Sequence, residues 1–133
     1  MVNYWLGVFK KYADFDGRAR RSEYWYYTLM NIIVMISLYI LLIVSAVSES
    51  IIFSILFGAL YLIYALGSLI PSLAVGVRRL HDVGKSGWML LVGLIPLVGG
   101  IWLIVLMATD SQVGENEYGP NPKTWEEDLI NKI

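Results

Sequence analysis

The sequence has no cysteine and few charged residues. Without cysteine, the 133-residue chain can form no disulfide, no thiolate nucleophile and no zinc–thiolate site. Charged residues make up 16% of the chain, against about 25% in a soluble protein. Hydrophobic residues make up 57%, against about 45–50%. This composition indicates one domain whose main solvent is a lipid bilayer.

Charged residues are absent from three long stretches, Tyr24–Ser48, Ser50–Val77 and Ser86–Thr109. About 20 apolar residues in a helix cross a hydrocarbon core of ~30 Å, so each stretch can cross once. We therefore predict an all-α, polytopic membrane protein with about three transmembrane helices. The first two stretches are separated only by Glu49 and its serine neighbours, which makes these two helices antiparallel neighbours.

The third stretch contains Pro96, Gly99 and Gly100 near its middle. These residues predict either a kinked single span or a re-entrant hairpin that returns to the side from which it entered. Broken backbone inside a membrane is tolerated only where it is buried in protein or lines a wet cavity. Each arm of a hairpin would also be short for a crossing. We favour the single kinked span, with the hairpin as the alternative.

The segments that flank the apolar stretches belong to the same membrane domain, residues 1–122. Within residues 1–23, one side of a short helix carries only apolar and aromatic residues: Tyr4, Trp5, Val8, Phe9 and Tyr12. We expect this helix to lie in the membrane interface with that side toward lipid. Residues 110–122 predict a Gly/Pro-rich loop, and residues 123–133 an acidic C-terminal extension.

The basic residues predict the orientation. They lie in the N-terminal segment and after the second stretch: Lys10, Lys11, Arg18, Arg20, Arg21, Arg78, Arg79 and Lys85. Because lysine and arginine accumulate in cytoplasmic loops, we place the N-terminus on the cytoplasmic face of the membrane, and we predict that "RRLHDVGK" forms a polar loop that begins at Arg78 on the same face. Three spans would place the C-terminal tail on the opposite side.

The polar residues on this face form a candidate binding site for anionic lipid headgroups or for a partner protein: Arg18, Arg21, Glu23, Arg78, Arg79, His81, Asp82 and Lys85. A basic residue near the surface of an anionic leaflet contributes about 1 kcal/mol of attraction. Glu23 and Asp82 are candidate ion-pair partners that would hold the two segments together. The alternative is a solvated face that only sets the topology.

Small residues recur at helical spacing in the second stretch and form a candidate helix-packing surface: Ser54, Gly58, Ser68, Ser72 and Gly76. Such residues let helix backbones approach closely in a membrane. Packing within the chain explains them, and a homo-oligomer is the alternative.

The pair His81-Asp82 has the residue types of a catalytic or metal site, but it has no further histidine to act with it. "GKS", Gly84 to Ser86, matches only the end of a phosphate-binding loop, since Arg79 stands where that motif needs glycine. We therefore predict no catalytic residue, no metal site and no cofactor.

Four elements of the sequence resemble the domain-of-unknown-function 805 family, the YhaH-like small inner-membrane proteins of bacteria. The elements are "FDGRARRSEYW" (Phe15–Trp25), "RRLHDVGKSGW" (Arg78–Trp88), "IPLVGG" (Ile95–Gly100) and "GENEYGPNP" (Gly114–Pro122). The resemblance implies a multi-pass inner-membrane protein, with no established activity, cofactor or catalytic residue. If the N-terminal element, the His-Asp element and the Gly-Pro tail form one unit, the tail lies on their side, which would favour the hairpin or an extra crossing over three spans.

These observations support a non-enzymatic membrane protein whose basic face docks anionic phospholipid headgroups or another membrane protein. A transport component or small oligomeric channel is the alternative, supported by the serines of the second stretch and the broken third one. An interfacial enzyme that uses His81 and Asp82 is a further alternative. No feature predicts nucleic-acid binding.

Overall fold

The structure is a computed structural model that describes residues 2–122. It is helical, with α1 at Val2–Lys10, α2 at Arg21–Val47, α3 at Ile51–Asp82, a 3₁₀ segment at Gly87–Leu94 and α4 at Val98–Ala108. Within these residues no β-strand forms, and Asn116 and Gly119 make an isolated bridge. The all-α prediction is confirmed. The predicted acidic extension, residues 123–133, lies outside the described residues.

The two long helices, α2 and α3, pack antiparallel along their length. Glu49 takes a positive φ of 56° in the tight turn between them, and the Ser50 hydroxyl caps α3 by accepting from the backbone N–H of Phe53 at 3.4 Å. Only 6% of the most apolar window in each helix is buried inside the protein. The remaining apolar surface needs an apolar solvent, which a bilayer supplies.

The charged residues after the second stretch belong to α3 rather than to a loop. The helix continues through Arg78 and Arg79 and ends at Asp82, because backbone hydrogen bonding does not depend on side-chain charge when that charge is compensated. The prediction of a polar loop that begins at Arg78 is therefore wrong by more than one helical turn.

The third apolar stretch forms a hairpin instead of a continuous span. The 3₁₀ segment runs outward, residues 95–97 reverse the chain, and α4 runs back; we call these elements the hairpin. Leu97 has a positive φ of 66° in the reversal, and Pro96 supplies no backbone N–H there. A Cβ on Gly99 would lie 1.9 Å from the carbonyl oxygen of Val92. Glycine thus permits the arms to touch, and the prediction of a single kinked span is corrected.

The tail after α4 lies at the end of the molecule that carries the C-terminus of α3 and residues 18–21. The backbone N–H of Gln112 donates to the carbonyl of Asp82 at 2.8 Å, and the Arg18 side chain reaches the carbonyl of Gly114 at 2.7 Å. The prediction that the tail lies opposite to the N-terminal segment is therefore wrong, because the hairpin brings the chain back.

The short helix α1 packs against α2 and α3. Val8 is fully buried, Phe9 contacts the ring of Tyr27 at 6.0 Å between centroids, and the Trp5 indole donates to the hydroxyl of Tyr64 at 3.2 Å. The expectation that this side faces lipid is corrected. Packing on protein gives the side chains the same apolar surroundings and gives the indole N–H a partner.

Candidate functional site

Asp82, the last residue of α3, lies at the centre of a buried group of polar side chains. Its Oδ1 accepts from Nε of Arg18 at 3.0 Å, and its Oδ2 accepts from Nη1 of Arg79 and from the hydroxyl of Ser111. Asp82 and Arg79 are fully buried, and Arg18 is 8% exposed. We call Asp82, Arg18, Arg79 and Ser111 the Asp82 cluster.

Arg18 gives all of its N–H groups to acceptors inside the protein. Besides the carboxylate it donates to the carbonyls of Asp82 at 3.2 Å, Gln112 at 2.6 Å, Gly114 at 2.7 Å and Gly119 at 3.3 Å. A guanidinium has five N–H donors, so none of them remains for an external ligand. Gly114 and Gly119 have positive φ values of 72° and 132°, which turn the tail around the arginine.

Arg79 joins the end of α3 to the end of α4. Its Nε donates to the carbonyl of Met107 at 2.9 Å, its Nη2 donates to the carbonyl of Thr109, and its Nη1 also reaches the carbonyl of Ala19 at 3.3 Å. The last carbonyls of a helix have no intrahelical partner. Arg79 therefore caps α4 and fixes the returning arm of the hairpin.

The charges of the Asp82 cluster do not cancel within the cluster, since two guanidinium groups face one carboxylate. The excess positive charge lies against backbone carbonyls and against the C-terminus of α4, where the helix dipole carries partial negative charge. Buried charges are tolerated when they are both paired and hydrogen-bonded. The cluster is thus a connector between three parts of the chain that are distant in sequence.

A second ion pair joins the start of α2 to α3. Nη1 of Arg78 donates to Oε1 of Glu23 at 2.8 Å, and the side chains are 1% and 16% exposed. The Nε and Nη2 atoms of Arg78 are buried and have no hydrogen-bond partner in the described chain. This side chain is therefore less fully satisfied than its neighbour Arg79.

His81 is held by the two segments on either side of it. Its Nδ1 donates to the carbonyl of Gly17 at 3.0 Å, and its ring stacks on Tyr118 with 3.9 Å between centroids and 1° between planes. Desolvation raises the pKa of the Tyr118 phenol, and the hydrogen bond and charge of Glu117 add to the rise. The imidazole thus holds the N-terminal segment and the tail together.

A mostly apolar groove of about 480 Å³ lies between α3 and the 3₁₀ segment. Phe15 lies at one edge of it, and His81 and Ser86 supply polar atoms at the end near the Asp82 cluster. The other lining residues are Leu73, Val77, Gly87, Trp88, Leu90 and Leu91. Lys85 is exposed in the turn that leads to the 3₁₀ segment. We call this feature the groove.

The predicted binding residues divide into two groups in the structure. Arg18, Arg78, Arg79 and Asp82 are buried. The remaining residues are accessible to different degrees: Lys85 is exposed, His81 and Glu23 are partly buried, and the Arg21 side chain is 48% exposed beside Asp110. The structure therefore places the accessible positive charge on Lys85 and Arg21 rather than on the paired arginines of α3.

The predicted packing residues all lie on α3 and face elements of the same chain at several points. A Cβ on Gly58 would lie 3.6 Å from Leu42 of α2, and one on Gly76 would lie 3.4 Å from Leu90 of the 3₁₀ segment. The hydroxyls of Ser72 and Tyr27 are 2.7 Å apart. Ser68 is buried, and Ser54 is half-buried near the turn between α2 and α3.

Three residues of the tail belong to the site although none of them was among the predicted binding residues. Ser111 binds the Asp82 carboxylate, the Gln112 carbonyl binds Arg18, and Asn116 donates to the carbonyl of His81 at 2.9 Å. The signal was the Gly-Pro-rich element that ends at Pro122, which is typical of a chain that folds back on itself.

Within the described residues, no group of three or more His, Cys, Asp or Glu side chains could hold a metal ion. The Asp82 carboxylate has no exposed surface, and His81 uses Nδ1 for a backbone carbonyl. The arrangement is suited to holding segments together, and it does not offer the Asp82 carboxylate as an open acid or base.

Comparison with known proteins gives relatives that cover nearly the whole chain. Inner membrane protein YhaI of Escherichia coli (strain K12) is 36% identical over 122 residues, which are 92% of this chain and 97% of the relative. Inner membrane protein YhaH of the same strain is 39% identical over 126 residues, which are 92% of this chain and 98% of the relative. No solved structure matches the chain significantly.

The four sequence elements on which the resemblance rests all contribute to the contacts described above. Arg18, Arg79, His81, Gly99 and Gly114 come from these elements, and the Asp82 cluster joins three of them. The model of the family described as "Protein of unknown function (DUF805)" matches residues 12–120. The chain therefore belongs to the DUF805 family, a family of membrane proteins whose function is not established.

Proposed function

We propose that the protein is a non-enzymatic, multi-pass protein of the bacterial inner membrane that binds an anionic phospholipid in the groove. In this topology α2 and α3 cross the bilayer, and the hairpin enters and leaves on the cytoplasmic side. The basic residues of both polar segments lie at the end that carries the Asp82 cluster, whereas the turn at the other end carries only Glu49. This asymmetry supports a cytoplasmic position for that end and for the N-terminus.

The observation that carries the lipid proposal is the combination of the groove with a positive charge at its polar end. Ligand sites are clefts of roughly 300–1,000 Å³ with mostly apolar walls and a few polar groups, and the groove has about 480 Å³. An acyl chain fits the wall formed by Leu73, Val77 and Leu91. The phosphate then lies near Ser86 and the ammonium group of Lys85.

The buried arginines support this site indirectly. Because Arg18 and Arg79 are buried and hydrogen-bonded to protein acceptors, they hold the segments beside the groove instead of binding the headgroup. Basic pockets beside transmembrane helices on the cytoplasmic side are typical sites for anionic headgroups. The burial of Asp82 supports a non-enzymatic role, because its carboxylate has no exposed surface with which to meet a substrate.

Lipid retention tests the proposal. The full chain is purified in mild detergent from membranes that contain phosphatidylglycerol, and native mass spectrometry measures the fraction that keeps a bound lipid. We expect Lys85→Gln to lower this fraction and Lys11→Gln to leave it unchanged. Both lysines are exposed at the same end of the molecule, but only Lys85 directly precedes a residue that lines the groove, Ser86.

A second pair of variants tests the apolar part of the site. Leu91→Trp fills the groove, whereas Ile104→Trp adds the same bulk on α4 away from it; the two side chains are 56% and 58% exposed. We expect only Leu91→Trp to lower retention. Retention at the wild-type level by both Lys85→Gln and Leu91→Trp would exclude the groove as the binding site.

A further inference from the structure

The hairpin is too short to cross a membrane. Its 3₁₀ arm has 8 residues and its α4 arm has 11, and at ~2.0 Å and ~1.5 Å per residue each arm extends ~16 Å. Each arm has one end beside the Asp82 cluster. The 3₁₀ arm begins there because Ser86 closely follows the end of α3 in the sequence, and the α4 arm ends there because Arg79 binds the carbonyl of Thr109. The tip at Leu97, which is 89% exposed, therefore reaches only to about the middle of a ~30 Å hydrocarbon core.

The same half of the molecule also holds α1. Its aromatic rings contact α2 at Tyr26 and Tyr27, and its Trp5 indole reaches as far as Tyr64, near the middle of α3. In the other half, the described chain consists of α2 and α3 alone. Their outward side chains there are open, as for Ile40 at 55% and Ile52 at 79% exposure.

The two halves therefore displace very different amounts of lipid. A helix with its side chains is about 10 Å across, so the two arms of the hairpin add roughly as much cross-section as α2 and α3 together. The helix α1 adds more on the same side. If the bilayer midplane lies near the tip of the hairpin, one leaflet has to accommodate about twice the protein area of the other.

We propose that this wedge shape makes the protein concentrate in curved membrane, where the leaflet that holds the hairpin is on the convex side. A convex leaflet has more area per lipid at the headgroup level, so insertion of extra area into that leaflet costs less there than in a flat bilayer. The proposal relies on the membrane topology proposed above but not on lipid binding in the groove.

Tubes pulled from giant vesicles measure this preference. The full chain is labelled at a cysteine introduced as Val113→Cys, since the natural chain contains none and Val113 is 92% exposed. The vesicles contain phosphatidylethanolamine and phosphatidylglycerol. An aqueous quencher added outside shows which molecules have the labelled end outward. We expect outward molecules to be denser per area on the tube than on the vesicle.

Reversed orientation supplies the internal control. Molecules whose labelled end faces the lumen place the hairpin in the concave leaflet, so we expect their density to be lower on the tube than on the vesicle. Equal densities on tube and vesicle in both orientations would overturn the proposal. That result is also the one expected if a second copy covers the bare half and removes the asymmetry.

Lys85→Gln separates this proposal from the proposed lipid site. The substitution leaves the hairpin unchanged, so we expect the same enrichment on the tube even where lipid retention falls. Loss of enrichment in Lys85→Gln would show that headgroup preference, rather than shape, sorts the protein, and would contradict the wedge. Loss of retention together with normal enrichment supports both proposals.

Discussion

The Nε atom of Arg79 donates to the carbonyl oxygen of Met107 over 2.9 Å, and this contact fixes the end of α4 against the end of α3. The indole N–H of Trp25 donates to the same carbonyl at 3.1 Å. Arg21 donates to the next carbonyl, that of Ala108, at 3.2 Å. Three side chains from α2 and α3 thus hold the returning arm of the hairpin, and they make its position sensitive to single substitutions.

Asp82→Asn is expected to destabilise the protein strongly, because it leaves the guanidinium groups of Arg18 and Arg79 buried without a counter-charge. Removal of one partner from a buried ion pair costs about 3–5 kcal/mol. Denaturant unfolding in detergent micelles measures the change. Asp110→Asn is the matched control: Asp110 is 60% exposed and lies 3.7 Å from Arg21, so its loss costs about 0–1 kcal/mol. Equal losses of stability in the two variants would contradict a central role of Asp82 in the cluster.

Gly99→Ala is expected to force the arms of the hairpin apart, because the new Cβ would lie 1.9 Å from the carbonyl of Val92. Overpacking of this kind costs about 1–3 kcal/mol. The neighbouring Gly100 has no atom within 4 Å of its Cβ position, so Gly100→Ala should be neutral or stabilising by up to about 1 kcal/mol. Thermal unfolding in micelles compares the two, and a larger loss in Gly100→Ala would refute the hairpin packing.

Accessibility of single cysteines tests the topology directly, since the natural chain has none. We expect Lys85→Cys and Val113→Cys to react with a membrane-impermeant maleimide from the same side, because the hairpin returns the chain to that side. Glu49→Cys should react only from the other side. Intact spheroplasts and inverted vesicles give access to the two sides. Labelling of Val113→Cys from the same side as Glu49→Cys would contradict the hairpin and support a single third span.

Substitution by lysine is expected to change the stability of the protein much less at Arg78 than at the adjacent Arg79. Arg78→Lys keeps a positive charge near Glu23 and removes two buried nitrogens, Nε and Nη2, that have no acceptor, so stability should stay within about 1 kcal/mol of the wild type. Arg79→Lys loses hydrogen bonds to carbonyls on both sides of it, at a cost of about 2 kcal/mol or more. Unfolding midpoints of the two variants, measured under the same conditions, test this prediction. Equal stability of the two variants would contradict it.

The sequence predicts the helical membrane fold well, because the length of a charge-free stretch reports directly on whether a helix can cross a bilayer. The prediction was less accurate at the ends of the stretches. The charge of Arg78 predicts that the span ends and a loop begins there, whereas α3 continues to Asp82. The acceptors that permit this are the Glu23 carboxylate for Arg78 and the carbonyls of Met107 and Thr109 for Arg79, and a sequence does not show which groups approach a guanidinium.

The third stretch shows a similar limit. Pro96 and Gly99 predict a break, but a kink and a full reversal begin from the same residues. The two alternatives differ in where they place the carbonyl of Met107. With a kinked single span it would lie across the membrane from Arg79, and in the hairpin it lies 2.9 Å from the Nε atom of Arg79. Only a tertiary contact decides between them, and the candidate site depends on that contact.

The separation in sequence between Arg18 and its acceptors has a consequence for biosynthesis. Arg18 bonds to carbonyls that follow it by 96 and 101 positions, at Gly114 and Gly119. A nascent chain exposes this guanidinium until almost its last described residues have left the ribosome. Fragments that stop before the tail leave this guanidinium without those acceptors, so its full set of bonds forms only after the tail has been synthesised.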